Sequence, residues 1–180
     1  MNAPSPLNLA LLSPDPAADR AEKLALYGWL VGQWHIEVQA FDAQGQQYRS
    51  RGEIYAGWVL EGRAVQDVWM IPPRAERRAN LSASDFPVTG PWYGTTLRVY
   101  DPTIDAWHIH WIDPATGFQS RMLGRANGAD IVQEGALENG VRLRWSFRNI
   151  KADSFRWSGE VSADAGRSWM MQVDIAARRI

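Results

Sequence analysis

The sequence of 180 residues contains no cysteine, only three histidines and almost no net charge. The lack of cysteine excludes disulfides, thiolate nucleophiles and Cys-based metal sites. With 19 basic and 20 acidic residues the formal net charge is -1, so no overall field attracts nucleic acid or an anionic membrane. No apolar run approaches the ~18 residues that span a bilayer. We therefore expect a cytoplasmic protein without nucleic-acid or membrane partners, and without a metal or cofactor.

Motifs of several enzyme classes are also missing from the sequence. It has no G-x-S-x-G elbow, P-loop, H-E-x-x-H helix or dinucleotide fingerprint. The first 18 residues hold four prolines and lack the basic start of a signal peptide. We predict a disordered tail over residues 1–18 and a single domain over residues 19–180.

Tryptophan is abundant, with ten residues, and it lies in segments that alternate between apolar and polar side chains. The central example is a predicted hairpin of Tyr93–Tyr100 and Ala106–Ile112, in which Trp107 and Trp111 share one face. Turn signals such as Asn127–Gly128 recur every ~8–12 residues. Predicted strands begin near residue 33 and include 48–60, 63–71, 93–100, 106–112, 118–126, 129–136 and 141–150, with two more beyond. The pattern predicts an all-β fold, an up-and-down antiparallel barrel of roughly ten strands.

One helix is predicted ahead of the strands, from Arg20 to Val31. Asp19 is a suitable N-cap with Glu22 three residues on, and Gly32 suits the position after the last turn. We expect this short helix to cover an open end of the barrel.

The apolar face of each strand should line the barrel, because burying aromatic surface gains about 25 cal/mol per Å². This face would point seven tryptophans inward: Trp34, Trp69, Trp107, Trp111, Trp145, Trp157 and Trp169. If the indoles instead lie on the outer surface, the histidine-bearing face becomes the inside. Arg63 and Asp67 share the strand face of Trp69, about 13 Å apart along the strand, so each needs another partner. They are either polar anchors of a ligand site or salt-bridged rim residues.

The two histidines of the central hairpin, His108 and His110, could bind a metal if His35 or Glu134 supplied a third ligand. By the same alternation they point outward, so we predict ordinary solvated histidines. Residues 72–92 form a long loop rich in proline and charge, which is either a lid or a surface insertion.

The series LVGQW, LEGRAVQDVW, YDP…W…WIDP, RWSF and FRWSGEVSADAGRSW resembles a bacterial lipocalin-like (calycin) family without an assigned function, over about residues 27–178. The resemblance implies an antiparallel barrel, distantly similar to fatty-acid-binding proteins and nitrobindins, and it transfers no catalytic residues. Nitrobindin-like proteins bind haem through a histidine near the C-terminal end of the barrel. Here the last histidine is His110, which counts against haem.

The leading hypothesis is a barrel that binds a small apolar or aromatic molecule in a tryptophan-lined cavity. The predicted ligand contacts are Arg63, Asp67, Trp69, Tyr93, Trp107, Trp111, Trp145 and Trp157. The alternative is a cofactor-free enzyme, an isomerase, cyclase or hydratase, in which Asp67, Tyr93 or a histidine moves a proton. A third hypothesis is a self-associating structural module, for example a homodimer, whose barrel is full.

Overall fold

The computed structural model describes residues 5–77 and 92–180. Within those ranges the elements are α1 (Pro6–Leu11), β1 (Leu12–Ser13), α2 (Ala21–Gly28), β2 (Gly32–Phe41), β3 (Gln47–Val59), β4 (Ala64–Ile71), β5 (Trp92–Asp101), β6 (Ala106–Ile112), β7 (Gln119–Asn127), β8 (Asp130–Ala136), β9 (Arg142–Arg148), β10 (Ser154–Ser162) and β11 (Met170–Arg179). In the described chain ten antiparallel strands, β2 to β11, each pair with their neighbours in sequence, and β11 pairs with β2. The predicted up-and-down barrel is confirmed.

The strands alternate as the sequence predicts, with one face inside the barrel. In β2 the side chains of Trp34, Ile36 and Val38 are buried, while His35 and Glu37 between them are exposed. Pairing extends this arrangement around the barrel, because directly opposed residues share a face of the sheet. The inner face is therefore continuous from strand to strand.

Helix α2 packs at the barrel end that carries the β3–β4 and β5–β6 turns. Leu24 and Tyr27 are fully buried there. The Tyr27 ring lies edge-on to Trp107, with centroids 4.8 Å apart. Lys23 pairs with Asp105 of the β5–β6 turn at 2.8 Å. An apolar helix face over an open barrel end removes aromatic surface from water on both sides of the contact.

The bounds of this helix differ from the predicted ones. A short 3-10 turn, Ala18–Arg20, precedes α2, and the predicted N-cap Asp19 makes no capping bond. Its carboxylate instead accepts a hydrogen bond from Arg63 at 3.0 Å. The helix ends at Gly28, and Gly32 starts β2 rather than closing the helix. A long-range ion pair has replaced the local cap.

The N-terminal segment from residue 5 is structured, which differs from the tail predicted over residues 1–18. Pro6 occupies the first turn of α1, where its missing N–H has no helical partner to lose. Strand β1 pairs with β3, and the Ala17 N–H donates to the Gly62 carbonyl at 3.1 Å. Backbone hydrogen bonds thus attach this segment to the β3–β4 hairpin. Residues 1–4 lie outside the described part.

None of the helices within residues 5–77 and 92–180 is long and apolar enough to cross a membrane. Most of the predicted lid, residues 78–91, lies outside the described residues, and the lid stays a prediction. The described residues before it end in a 3-10 turn, Arg74–Glu76, whose Arg74 N–H donates to Glu53 at 2.6 Å.

Candidate functional site

A cavity of about 560 Å³ lies at the barrel end opposite α2. Its mouth is formed by the β2–β3 turn around Asp42 and the β6–β7 turn, which includes Asp113 and Phe118. Both carboxylates accept N–H groups of their own turns: Asp42 from Gln44 at 2.9 Å, and Asp113 from the backbone of its loop at 2.8 Å. The mouth is therefore built from well-formed turns.

Indole rings form the wall of the cavity. Among the described residues, five tryptophans line it, and we call them the tryptophan belt: Trp69, Trp92, Trp111, Trp145 and Trp157. Ring centroids within the belt are 5.4 Å apart for Trp69 and Trp157, and 5.6 Å for Trp145 and Trp157. Trp111 lies 6.1 Å from Trp92 and 6.4 Å from Trp145. The contacts are tilted or edge-on, the geometry that aromatic quadrupoles favour.

Alternation along the strands places four members of the belt, and glycines make room for their rings. A Cβ at Gly94 would lie 2.4 Å from the Trp111 ring, and one at Gly159 would lie 2.9 Å from the Trp157 ring. Trp92 was not predicted, because it closes the proline-rich segment that the sequence assigns to a loop. It is the first residue of β5 and pairs with Ile71.

An ion pair between Asp67 and Arg98 lies below the belt. The two side chains are 0% and 2% exposed, and the Asp67 carboxylate also accepts the Thr96 N–H at 3.1 Å. Arg98 faces the cavity, and its guanidinium lies 5.3 Å from the Tyr27 ring and 5.7 Å from the Phe147 ring. This pair separates the cavity from the aromatic cluster under α2. Asp67 thus has the partner that a carboxylate among indoles requires.

The sequence reasoning missed Arg98. Between Trp92 and Tyr100, the residues of β5 that point inward, Gly94, Thr96 and Arg98, are small or polar, while Leu97 and Val99 lie on the outer face. The assumption that the apolar face lines the barrel therefore fails in the middle of this strand. Strand pairing is the signal that could have found Arg98. Where β4 and β5 pair as antiparallel neighbours, Thr96 lies opposite Asp67, and Arg98 is on the same face of β5 as Thr96.

Burial strongly affects the Tyr27 hydroxyl, which points toward Gly124 below the cavity. Desolvation raises the pKa of Tyr27 far above its usual value, and the nearby Arg98 charge only partly opposes this. The phenol is therefore a neutral group. It has no hydrogen-bond partner in the described part of the chain.

Four of the eight residues predicted as ligand contacts do not line the cavity. Asp67 lies behind Arg98, to which it is paired, and the other three lie farther away. Arg63 is exposed beside the β3–β4 turn and bonds to Asp19, which is the rim arrangement. Tyr93 points outward, 45% exposed, under the Arg77 guanidinium at 4.5 Å. Trp107 points inward but packs against Tyr27 at the α2 end. The strand face and the position along the barrel axis, which the sequence does not show together, explain why Arg63, Tyr93 and Trp107 lie away from this cavity.

Trp169 and Trp34 also lie outside the belt. Trp169 lies on the outer wall under the Arg144 guanidinium at 4.1 Å. The pairing of β10 with β11 shifts register between Gly159 and Glu160, which leaves one residue of β11 without an opposite residue. The side chains that precede the shift in β11 therefore point to the other face of the sheet. Trp34 is buried near α2, and its indole N–H donates to the Leu30 carbonyl at 2.8 Å.

His108 and His110 point to the outer wall, as the alternation predicts. His108 contacts the Asp101 carboxylate at 3.0 Å. Partial burial, followed by the charges of Arg121 and His108, lowers the pKa of His110. Residues 5–77 and 92–180 contain no group of three or more His, Asp or Glu side chains arranged to hold a metal.

Comparisons with known proteins show the fold. No family model and no curated protein matches the chain. The structure of Rv2717c from M. tuberculosis matches with a TM-score of 0.62 and 15% identity, covering 92% of this chain and 99% of that one. The S-type phycobiliprotein lyase CpeS from Guillardia theta matches with a TM-score of 0.56 and 9% identity, covering 92% and 98%. Both neighbours are barrel proteins of the calycin-like kind, and this chain shares their barrel fold.

At such identities the likeness shows the fold alone. It supports the part of the predicted resemblance that concerns the barrel. The more distant similarity to nitrobindins and fatty-acid-binding proteins stays a prediction.

Proposed function

We propose that this barrel binds a small, mainly aromatic or apolar molecule between the rings of the tryptophan belt. One observation carries the proposal: in the described part of the chain, a cavity of about 560 Å³ is walled by indoles and opens at one barrel end. Ligand sites typically have ~300–1,000 Å³, mostly apolar walls and a few fixed polar groups. The belt and the Asp67–Arg98 pair below it have this composition.

The belt favours flat ligands of moderate affinity. A two-ring aromatic probe buries about 250 Å² of apolar surface, similar to a large aromatic side chain. That burial gains about 6 kcal/mol before the cost of immobilising the probe is counted. We therefore expect dissociation constants for simple probes of about 40 µM or weaker, extending into the millimolar range.

The test is a titration with N-phenyl-1-naphthylamine, an uncharged probe that fluoresces more brightly in apolar surroundings. Trp145→Ala removes a belt ring, and we expect it to weaken binding about tenfold. Trp169→Ala is the matched control, because Trp169 is also half-buried but lies outside the cavity under Arg144. It should change the affinity less than about twofold. Equal effects of both substitutions, or no saturable binding to the wild type, would refute the proposal.

The enzyme alternative has one supporting observation, that a solved barrel of similar fold is named a lyase. In this chain both carboxylate oxygens of Asp67 accept hydrogen bonds, and His108 and His110 face outward. Binding is therefore the better supported function. A homodimer, the cellular location and the absence of nucleic-acid partners stay predictions.

A further inference from the structure

Two hydrogen-bond donors, one below the tryptophan belt and one within it, have no partner for an N–H group among the described residues. Arg98 lines the cavity and donates to Asp67, but its Nε–H has no partner among the described residues. The indole N–H of Trp69, another lining residue, has no described partner either. The two residues are 1% and 3% exposed, so bulk water does not readily satisfy them. Arginine and indole nitrogens only donate, so the complementary group is an acceptor.

The net charge of the Asp67–Arg98 pair determines what kind of acceptor can bind there. Asp67 already neutralises Arg98, and both side chains are almost completely shielded from solvent. A carboxylate ligand would add a second negative charge beside Asp67 in a site of low polarity, where like charges are costly. An uncharged carbonyl oxygen accepts the same hydrogen bond without that repulsion.

Arg98 is also held in place for this contact. Its guanidinium lies over the rings of Tyr27 and Phe147 and is tied to Asp67. A fixed donor loses little side-chain freedom when a ligand binds. The fixed position of Arg98 therefore favours ligands whose acceptor atom reaches its N–H group.

Resting on the proposed function, we infer that the ligand is an uncharged aromatic molecule with a carbonyl oxygen, of the ketone, quinone or amide class. Its ring system lies within the tryptophan belt. Its carbonyl points down the barrel and accepts a hydrogen bond from Arg98, and a second acceptor can bond to Trp69.

The test compares three probes that share one ring system: naphthalene, 2-acetylnaphthalene and 2-naphthoate. Isothermal titration of the wild-type protein at neutral pH gives the three affinities. We expect the ketone to bind about tenfold tighter than naphthalene, the gain of one hydrogen bond to a charged donor. It should also bind at least about tenfold tighter than the carboxylate.

Asp67→Asn sharpens the test, because it keeps the size of the side chain and removes the neutralising charge. In this variant the ratio of naphthoate to ketone affinity should rise at least tenfold. Asp174→Asn is the matched control, since Asp174 pairs with Arg156 on the outer wall. It should leave all three affinities unchanged.

The outcomes separate this inference from the proposed function. If no probe binds the wild type, the proposed function fails. If naphthalene binds as well as the ketone, or naphthoate binds most tightly, the belt is a binding site but the inferred ligand class is wrong. If Asp67→Asn does not fold, the three wild-type affinities still decide.

Discussion

A glycine in β7 leaves the space that the Tyr27 side chain of α2 occupies inside the barrel. Gly124 points inward, and a Cβ built there would lie 2.4 Å from the Tyr27 hydroxyl and 3.2 Å from Ile109. Tyr27 is fully buried and held by the Trp107 ring, so its hydroxyl cannot move away without moving the helix. Gly124→Ala should therefore push α2 away from the barrel end.

The size of the effect follows from this contact. An ordinary carbon–oxygen contact is about 1 Å longer than the one that Ala would impose, and overpacking of this kind costs about 1–3 kcal/mol. Tyr27→Phe removes the hydroxyl, which is buried without a partner in the described chain. This substitution should be neutral or stabilise by up to about 1 kcal/mol. In the Phe background Gly124→Ala should cost about 1–2 kcal/mol less than in the wild type.

Urea unfolding followed by tryptophan fluorescence measures the four free energies of the double-mutant cycle. Gly135→Ala is the control, because a Cβ there would lie 2.3 Å from the Arg121 carbonyl oxygen, a contact that does not involve Tyr27. Its cost should be the same in both backgrounds. Additivity of Gly124→Ala and Tyr27→Phe within about 0.5 kcal/mol would refute the steric argument. A large loss of stability in Tyr27→Phe alone would mean that the hydroxyl has a partner, such as a buried water.

Two further predictions concern the surface of the barrel. Hydrogen bonds from the Thr103 hydroxyl, His108 and the Thr103 N–H lower the pKa of Asp101 from 3.8 to about 2. The stabilising contribution of Asp101 is therefore complete above pH 3.8 and is lost as the pH falls through about 2. The thermal unfolding temperature of Asp101→Asn should depend less steeply on pH in that window than that of the wild type. An unchanged acid profile would contradict this. Gly62 has a φ of +75°, and a Cβ there would lie 2.2 Å from the Asp15 carbonyl oxygen, so Gly62→Ala should speed proteolysis of the N-terminal segment while the barrel stays folded. Cleavage at the wild-type rate would show that the segment does not depend on this contact.

The strand pattern of this chain predicts the barrel because most strands are two-faced. In β6 and β9 large apolar residues such as Trp111 and Leu143 occupy one parity, with polar residues on the other. Burial of one face then sets both the fold and the direction of each side chain. The same alternation identifies four of the five belt residues among the described strands.

The remaining features depend on contacts between distant segments. Asp19 does not cap the helix, because its carboxylate accepts a hydrogen bond from the charged Arg63. Arg63 lies 44 residues further along the chain. Trp169 faces outward because the register shifts between Gly159 and Glu160, and no residue pattern marks that shift. Neither result follows from local propensity, which is why the capping pattern misassigned Asp19 and alternation misplaced Trp169.

The ion pair below the belt argues against a barrel that is merely full. Replacing a buried pair with apolar side chains of similar size is often neutral or stabilising, so core filling alone gives no reason to keep Asp67 and Arg98 inside. A filled barrel would also leave no cavity of about 560 Å³ beside the pair. Both features have a use if the cavity holds a ligand, because a neutralised guanidinium offers directional hydrogen bonds without attracting every anion. The pair is therefore better explained by ligand selection than by stability, and this favours a binding protein over the self-associating structural module.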